Sequence, residues 1–184
     1  MISHDNITFT SRYLSEDVAK LKKYSERLIS YLPLSHIAAQ VVDIFSTIAF
    51  GSTVYFAQPD ALKGSLNTTI KEVRPTFFFG VPRVWEKMQE AIEKKTKNLM
   101  GTKLKLFNWS RTQATLQITS NFYGQRKSSF SYSIAKSLVI NNIHKELGLD
   151  KCKFAYSGAA PITKETLDFF VSLGIPLCEV YGMR

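Results

Sequence analysis

Apolar positions follow two alternating patterns along the chain. Short runs rich in β-branched and aromatic residues predict strands, and longer stretches with an apolar residue at every third or fourth position predict helices. The predicted strands span residues 27–32, 53–57, 76–79, 152–156 and 175–181. Because a predicted helix follows each of the first four strands, the pattern favours an α/β fold with a mostly parallel sheet covered by helices.

The predicted helices have recognisable starts and ends. Their expected first residues or caps are Ser3 or Asp5, Ser35 or His36, Asp60, Pro82 and Thr163, and a further helix spans residues 134–147. The helix that begins at Pro82 extends to about residue 119, with a weak point at Gly101. Residues 121–133 are rich in serine, glycine and basic side chains and therefore predict a loop.

The helix expected before Gly51 carries an apolar stripe. Its members recur at helical spacing and are Ile37, Val41, Ile44 and Ile48. The neighbouring positions are apolar too, so we expect this helix to be buried nearly all round. A helix that spans a membrane needs about 20 apolar residues, and this apolar stretch is shorter than that.

Two turns follow neighbouring predicted strands near the end of the chain, at residues 157–161 and 181–183. In open α/β sheets, ligands bind at the carboxyl ends of the strands. Gly158 permits a sharp turn, the small residues beside it allow a flat ligand to approach the backbone, and Tyr181 supplies a ring for stacking. This edge is therefore the candidate binding site.

The helix between these turns has a complete set of end signals. Thr163 is the expected N-cap, Glu165 lies in the first turn, and Gly174 stands where a helix-ending glycine is expected. Spacing predicts that Leu167, Phe170 and Val171 share its inward face.

Composition bounds the class of protein. Hydrophobic residues make up 45% of the 184 residues, which is enough for a packed core in one domain or part of a larger one. Cys152 and Cys178 match neither a metal spacing nor a disulfide framework, so we expect buried, reduced thiols. The first six residues show no secretory signal, and we expect a cytoplasmic location.

Positive charge is concentrated in one segment. The net charge is +9, and residues 81–127 hold ten Lys or Arg against three Glu. Three interpretations remain open: a solvated helical face, attraction to anionic lipid headgroups, or nucleic-acid binding. Apolar residues such as Leu104, Phe107 and Trp109 interleave with the lysines, which fits peripheral contact with the cytosolic face of a membrane. No nucleic-acid recognition motif accompanies the charge, and we expect no nucleic-acid partner.

Five motifs carry a family resemblance. Ser157-Gly-Ala-Ala-Pro161 and Tyr181-Gly-Met183 resemble the adenine-binding half of adenylate-forming enzymes, which include the AMP-dependent synthetases and ligases. Tyr31-Leu-Pro-Leu-Ser-His36 and Phe79-Gly-Val-Pro-Arg-Val-Trp-Glu-Lys87 resemble long-chain fatty acyl-CoA synthetases. Tyr55-Phe-Ala-Gln-Pro-Asp-Ala-Leu-Lys-Gly64 resembles the bubblegum type among them. The resemblance covers nearly the whole chain, with its motifs in order.

The resemblance implies a reaction and residues for it. The resemblance implies activation of a long-chain fatty acid with ATP and Mg²⁺, followed by transfer of the acyl group to CoA. It assigns nucleotide contacts to Ser157, Gly158, Ala159, Ala160, Pro161, Tyr181, Gly182 and Met183. It assigns acyl contacts to His36, near the carboxylate and α-phosphate, and to Trp85, which closes the fatty-acid tunnel. A helix-capping role for His36 and a core role for Trp85 remain open.

The resemblance also implies what lies outside the chain. The family's phosphate-binding loop would precede Met1, and its Mg²⁺-binding glutamate would follow Met183. We therefore expect residues 1–184 to be a partial AMP-binding domain, a slice of the large N-terminal domain without the phosphate loop or the C-terminal domain, and inactive alone. The alternative is a non-catalytic lipid-binding or partner-binding remnant. A dinucleotide-binding oxidoreductase is excluded because no Gly-x-Gly-x-x-Gly follows a strand.

Overall fold

The computed structural model describes residues 3–14, 16, 23–125 and 129–180. The chain divides into two units: unit 1 comprises Met1–Phe79 and Lys151–Phe154, and unit 2 comprises Gly80–Asp150 and Ala155–Arg184. The boundary crosses two strands, so each unit contains part of both. No helix among the described residues is long and apolar enough to cross a membrane.

Unit 1 begins with helix α1 and a parallel strand pair. The bounds are α1 His4–Tyr13, β1 Arg27–Ser30 and β2 Thr53–Phe56, with Arg27 opposite Thr53 and Ser30 opposite Phe56. Ser3 caps α1 in a capping box, in which the Ser3 hydroxyl accepts from the Asn6 backbone N–H and the Asn6 side chain accepts from the Ser3 N–H. The predicted cap and the parallel pairing are thus confirmed.

Helix α2 joins the two strands and departs from the expected burial. It comprises Ile37–Ala39, a π-helical middle Gln40–Phe45 and an α-helical end Ser46–Phe50. Its buried residues are Ala39, Val42, Ser46 and Phe50, whereas Ile48 of the predicted stripe is 75% exposed. A π-helical turn holds more residues than an α-helical one, so it rotates the later positions away from the face that α-helical spacing predicts.

The chain then crosses from unit 1 into unit 2. After a 3₁₀ turn at Ala61–Lys63, α3 spans Leu66–Val73 and β3 spans Phe77–Gly80. The expected single helix from Asp60 is wrong, because the chain breaks at Gly64 and the Asp60 carboxylate accepts instead from the Ser65 hydroxyl.

Unit 2 contains four long helical stretches around the end of a parallel sheet. These are α4 Pro82–Thr96, α5 Gly101–Phe122, α6, which comprises Phe130–Ala135, a π-helical Lys136–Ile140 and Asn141–Leu147, and α7 Lys164–Ser172. The loop predicted over 121–133 is shorter, because α5 continues to Phe122 and α6 begins at Phe130.

The second sheet has the strand order β3–β4–β5. Strand β4 spans Phe154–Ser157 and pairs in parallel with β5, Leu177–Glu179. The α/β class with parallel pairing is therefore confirmed, although the described strands form two sheets. The start of β1 approaches the start of β3 within unit 1, where the Thr76 N–H donates to the Arg27 carbonyl at 3.0 Å.

The predicted start and end signals of helix α7 are confirmed, whereas its predicted inward face is not. Thr163 caps it, and Gly174, with φ 77°, ends it in a Schellman motif in which the Ile175 N–H donates to the Phe170 carbonyl. The buried residues include Thr166, Phe169 and Phe170 rather than Leu167 and Val171. The face is rotated because Phe169 packs under the Arg111 guanidinium of α5 and Phe170 packs on Trp85 of α4.

Both cysteines are free and half-buried. Burial raises the pKa of the Cys152 thiol to about 12 and also raises the pKa of Cys178. A thiol with a raised pKa is a poor nucleophile.

A buried ion pair joins distant parts of unit 1. The Glu26 side chain is fully buried before β1, and the half-exposed Lys153 ammonium donates to its two carboxylate oxygens at 3.0 and 3.3 Å. The two residues are 127 positions apart, so their contact ties the start of β1 to the start of β4.

We predict that Lys153→Met lowers the free energy of unfolding by about 2–3 kcal/mol, because the buried carboxylate loses its ammonium partner. Lys164→Met removes the same charge from an exposed pair with Asp168 and should change it by less than about 0.5 kcal/mol. Urea unfolding of both variants measures this difference. Equal midpoints for the two variants would contradict a stabilising role for the pair.

Candidate functional site

The turn after β4 offers small residues at the edge of the sheet. Ser157 and Gly158 are buried, whereas Ala159, Ala160 and Pro161 are exposed. The Gly158 N–H donates to the Gly80 carbonyl at 3.3 Å, which holds the beginning of the turn against the end of β3. The exposed part of the turn therefore presents backbone and methyl groups that a flat ligand can approach closely.

The unusual backbone conformation of this turn falls on an alanine. Ala159 has φ 71°, whereas the sequence pattern assigned the sharp turn to Gly158. A left-handed conformation costs a non-glycine residue about 1–2 kcal/mol, and residues held in this way cluster at ligand sites. The strained alanine thus supports the assignment of this turn as a binding site.

A buried hydroxyl lies at the start of the turn. Ser157 is fully buried, and its Oγ finds no hydrogen-bond partner among the residues that the structure describes. Buried polar groups are normally hydrogen-bonded. Because this hydroxyl has 0% exposure, it lies beneath the turn and not on the surface that a ligand would contact.

Glu179 connects this turn to the end of β5, and the sequence patterns missed it. The Ile162 N–H donates to Glu179 Oε1 at 3.4 Å, and the Val180 N–H donates to the Ser157 carbonyl at 2.8 Å. These two bonds keep residues 157–162 beside the point where the chain leaves β5. A carboxylate within the predicted strand 175–181 was the available signal.

Trp85 lies in the core directly below the turn. Its exposure is 0%, its indole N–H donates to the Tyr156 carbonyl at 3.2 Å, and its ring packs edge-to-face on Phe170 at 5.0 Å. A Cβ added at Gly80 would lie 2.6 Å from the indole nitrogen, so Gly80 leaves the space that Trp85 fills. The structure thus supplies the contacts of a core tryptophan, and the gating role stays a prediction.

His36 caps helix α2 in unit 1. Its Nδ1 accepts from the Ala38 N–H at 3.2 Å, and the residue is half-buried. Because Nδ1 is the acceptor, the neutral ring carries its proton on Nε2, which leaves an N–H donor on the other side of the ring. The predicted capping role is confirmed, and it leaves the donor available for an acyl carboxylate or a phosphate.

Tyr31 anchors the loop that carries His36. Its hydroxyl donates to the Phe79 carbonyl at 3.1 Å, and its ring stacks on Phe78 with a centroid distance of 6.1 Å. At the other end of the loop, the Gln40 amide donates to the Leu34 carbonyl at 2.8 Å. Residues 31–36 are thus held at both ends, and the position of His36 follows from these contacts.

Asp43 is a further titratable group beside this loop. It lies on the π-helical part of α2, and it accepts a hydrogen bond from the side chain of Ser30, the last residue of β1. Burial raises the pKa of its carboxyl group to about 6, and the hydrogen bond from Ser30 opposes that shift. Asp43 interrupts the apolar run in the sequence, but nothing in the pattern placed it at the carboxyl end of β1.

Several predicted positions lie outside the described residues: Tyr181, Gly182 and Met183 of the nucleotide motif, and Arg126 and Lys127 of the basic segment. Among the residues that are described, no group of three or more His, Cys, Asp or Glu side chains could hold a metal ion.

Comparison with known proteins gives consistent matches. The family model described as AMP-binding enzyme matches residues 1–184. The long-chain-fatty-acid–CoA ligase ACSBG2 of Xenopus laevis is 48% identical over 185 residues, which cover 100% of this chain and 25% of the relative. The human ligase of the same name is 46% identical over 183 residues, which cover 100% of this chain and 27% of the relative. This chain thus spans about a quarter of the length of the curated relatives it matches.

A solved structure supports the fold. The adenylation domain of a carboxylate reductase from Mycobacterium chelonae aligns with a TM-score of 0.54 and 18% identity, covering 96% of this chain and 23% of that chain. At this identity the likeness shows the fold alone.

The raised pKa of Asp43 gives a pH prediction. The folded state binds the Asp43 proton more tightly than the unfolded state, whose pKa is 3.8. The resulting stabilisation of the fold is complete below pH 3.8 and is lost as the pH rises through about 6. We therefore expect Asp43→Asn to raise the melting temperature relative to the parent chain above pH 6, with the gain disappearing toward pH 4.

Calorimetry or circular dichroism at a series of pH values measures this difference, and exposed Asp60→Asn is the matched control. A melting-temperature difference for Asp43→Asn that does not change with pH would show that burial does not raise the pKa of this carboxyl group.

Proposed function

Since the chain belongs to the AMP-binding enzyme family, we propose that it forms part of a long-chain fatty acid–CoA ligase. The resemblance to long-chain acyl-CoA synthetases that the motifs predicted is confirmed by identity to such ligases over the whole chain. That identity is the observation that carries the proposal. The alternative of a non-catalytic remnant is not favoured, because the matched relatives are themselves ligases.

The proposed reaction has two steps. A carboxylate oxygen of the fatty acid attacks the α-phosphorus of ATP, and pyrophosphate leaves with the electrons of the broken P–O bond. The CoA sulfur then attacks the acyl carbon, and AMP leaves. Mg²⁺, when bound to the phosphates, would offset their negative charge during the first step.

In this proposal, the turn after β4 receives the nucleotide. Its exposed Ala159, Ala160 and Pro161 and the left-handed backbone of Ala159 fit the adenine side of ATP, which needs a flat surface. The family motif assigns Tyr181, Gly182 and Met183 to the nucleotide, with the Tyr181 ring as the stacking partner of adenine. Glu179 acts as a positioning residue, because its carboxylate holds the Ile162 N–H.

His36 is the residue that we propose for the acyl side. Its Nε2–H is free of the capping bond and can donate to the carboxylate of the fatty acid or to the α-phosphate. Trp85 remains the proposed tunnel residue. Because its indole N–H is bonded in the core, opening a tunnel there has to break the bond to the Tyr156 carbonyl.

A chimeric enzyme tests the proposal. This chain replaces the matched 185-residue segment of the Xenopus laevis ligase. We expect the chimera to unfold cooperatively and to release pyrophosphate only when ATP and a long-chain fatty acid are both present. A chimera that folds cooperatively and releases no pyrophosphate above background would contradict the proposal.

His36→Asn in the chimera separates the helix-capping role of His36 from its proposed role as a hydrogen-bond donor in the reaction. Asparagine is a good N-cap and keeps an acceptor for the Ala38 N–H, but it removes the Nε2–H donor. We expect kcat to fall about tenfold or more, as for the loss of a preorganised donor, with an unchanged melting temperature. The control is His4→Asn, at an exposed position of α1. Equal kcat values for the two variants would rule out a direct role for His36.

A further inference from the structure

The basic segment is free of acidic residues over a long range. Residues 94–145 contain ten Lys or Arg and no Asp or Glu, so this stretch alone carries more than the whole net charge of +9. It includes the end of α4, all of α5 and most of α6, and it belongs entirely to unit 2. The other 14 Lys and Arg of the chain are balanced by its 15 Asp and Glu, so the net positive charge comes from this stretch of unit 2.

The same stretch exposes an unusual amount of apolar surface. Ten of the large exposed apolar or aromatic side chains among the described residues lie within it. Trp109 and Leu116 of α5 and Tyr123 directly after it recur every seventh residue, and on α6, Phe130, Ile134 and Leu138 recur every fourth. Residues at these spacings share one face of a helix, so each helix presents an apolar stripe to solvent.

These stripes are not the faces by which the helices pack on unit 2. The opposite side of α5 buries Phe107, Ala114 and Ile118. Ala114 belongs to a buried cluster with Ala135 and Ile140 of α6, which holds the two helices together. Helix α5 is therefore apolar on both sides, a pattern typical of a helix that is covered on both sides.

We propose that the outward stripes of α5 and α6 dock on an anionic phospholipid membrane. The excess of lysines and arginines complements anionic headgroups, and each basic residue near such a surface contributes about 1 kcal/mol. Tryptophan and tyrosine favour the boundary between headgroups and acyl chains, where Trp109 and Tyr123 would lie. The phosphates of a nucleic acid would also attract the basic side chains, but they offer no apolar surface on which Leu116, Phe130 or Leu138 could pack.

The membrane proposal rests on charge and exposure and not on the proposed ligase activity. If both hold, docking places the chain at the cytosolic surface where long-chain fatty acids partition. Failure of the chimera would therefore leave membrane binding intact, and failure of membrane binding would leave ligase activity intact.

Co-sedimentation of the purified chain with vesicles tests the proposal. We expect binding to vesicles of phosphatidylcholine mixed with phosphatidylserine, little binding to phosphatidylcholine alone, and weaker binding as salt rises. The variant K103E/K105E should weaken binding at least about tenfold, because two charges near the surface are reversed. Its control, K63E/K71E, makes the same change at exposed positions of unit 1 and should bind like the parent chain.

Apolar insertion has a separate readout. Leu116→Ser with Phe130→Ser removes two exposed apolar side chains and should weaken vesicle binding without lowering the melting temperature. The control, Ile48→Ser with Phe56→Ser in unit 1, also removes two exposed apolar side chains and should leave vesicle binding unchanged. Trp109 is partly exposed and Trp85 is fully buried, so a blue shift of the emission on vesicle binding should come from Trp109 and disappear in Trp109→Phe.

The absence of co-sedimentation with anionic vesicles would overturn the proposal. Equal weakening of vesicle binding by the α5 and α6 variants and by their unit 1 controls would do so too. A third contradicting result is binding to RNA that the α5 and α6 variants abolish, together with no vesicle binding.

Discussion

A buried hydrogen bond joins α4 to the strand that leads into the candidate nucleotide site. The Trp85 indole N–H donates to the Tyr156 carbonyl in the core of unit 2, where its own exposure is 0%. Loss of this bond would cost about 1 kcal/mol. Gly80 and Phe170 shape the space around the indole. The end of β4 is therefore held rigidly, and the turn at Ser157 starts from a defined point.

Two expectations of different kinds concern Trp85. The motif that contains Trp85 resembles the tunnel residue of long-chain acyl-CoA synthetases, whereas its spacing on α4 predicts a core residue beside Met88 and Ile92. In the structure the core contacts are complete. A gating motion would have to break the bond to Tyr156, which belongs to the strand that leads into the nucleotide turn. Opening of an acyl tunnel at Trp85 would thus be coupled to the geometry of that turn.

Sequence patterns predicted the features that depend on neighbouring residues. The caps at Ser3 and Thr163 and the glycine ending at Gly174 follow from local hydrogen bonds, and all three were found as expected. The strands were also located correctly, because their apolar runs are short and bounded by turn residues.

Features that depend on distant residues could not be predicted in this way. The π-helical turn of α2 moved Ile48 to the surface, and the contact of Phe169 with Arg111 rotated the buried face of α7. The bond between Lys153 and Glu26 joins residues that are 127 positions apart. The strained conformation of Ala159 is set by the contacts that hold both ends of its turn, so a motif can mark the turn but not its backbone angles.

The central claim is that the turn after β4 is the nucleotide-binding edge of this chain. Titration of AMP into the isotope-labelled chain, followed by amide NMR, tests it most directly, because chemical shifts report even millimolar binding residue by residue. The claim predicts the largest shifts at Gly158, Ala159 and Ala160, and no shifts at β2 of unit 1. Shifts confined to the basic surface of α5 and α6, or no shifts at saturating AMP, would contradict it.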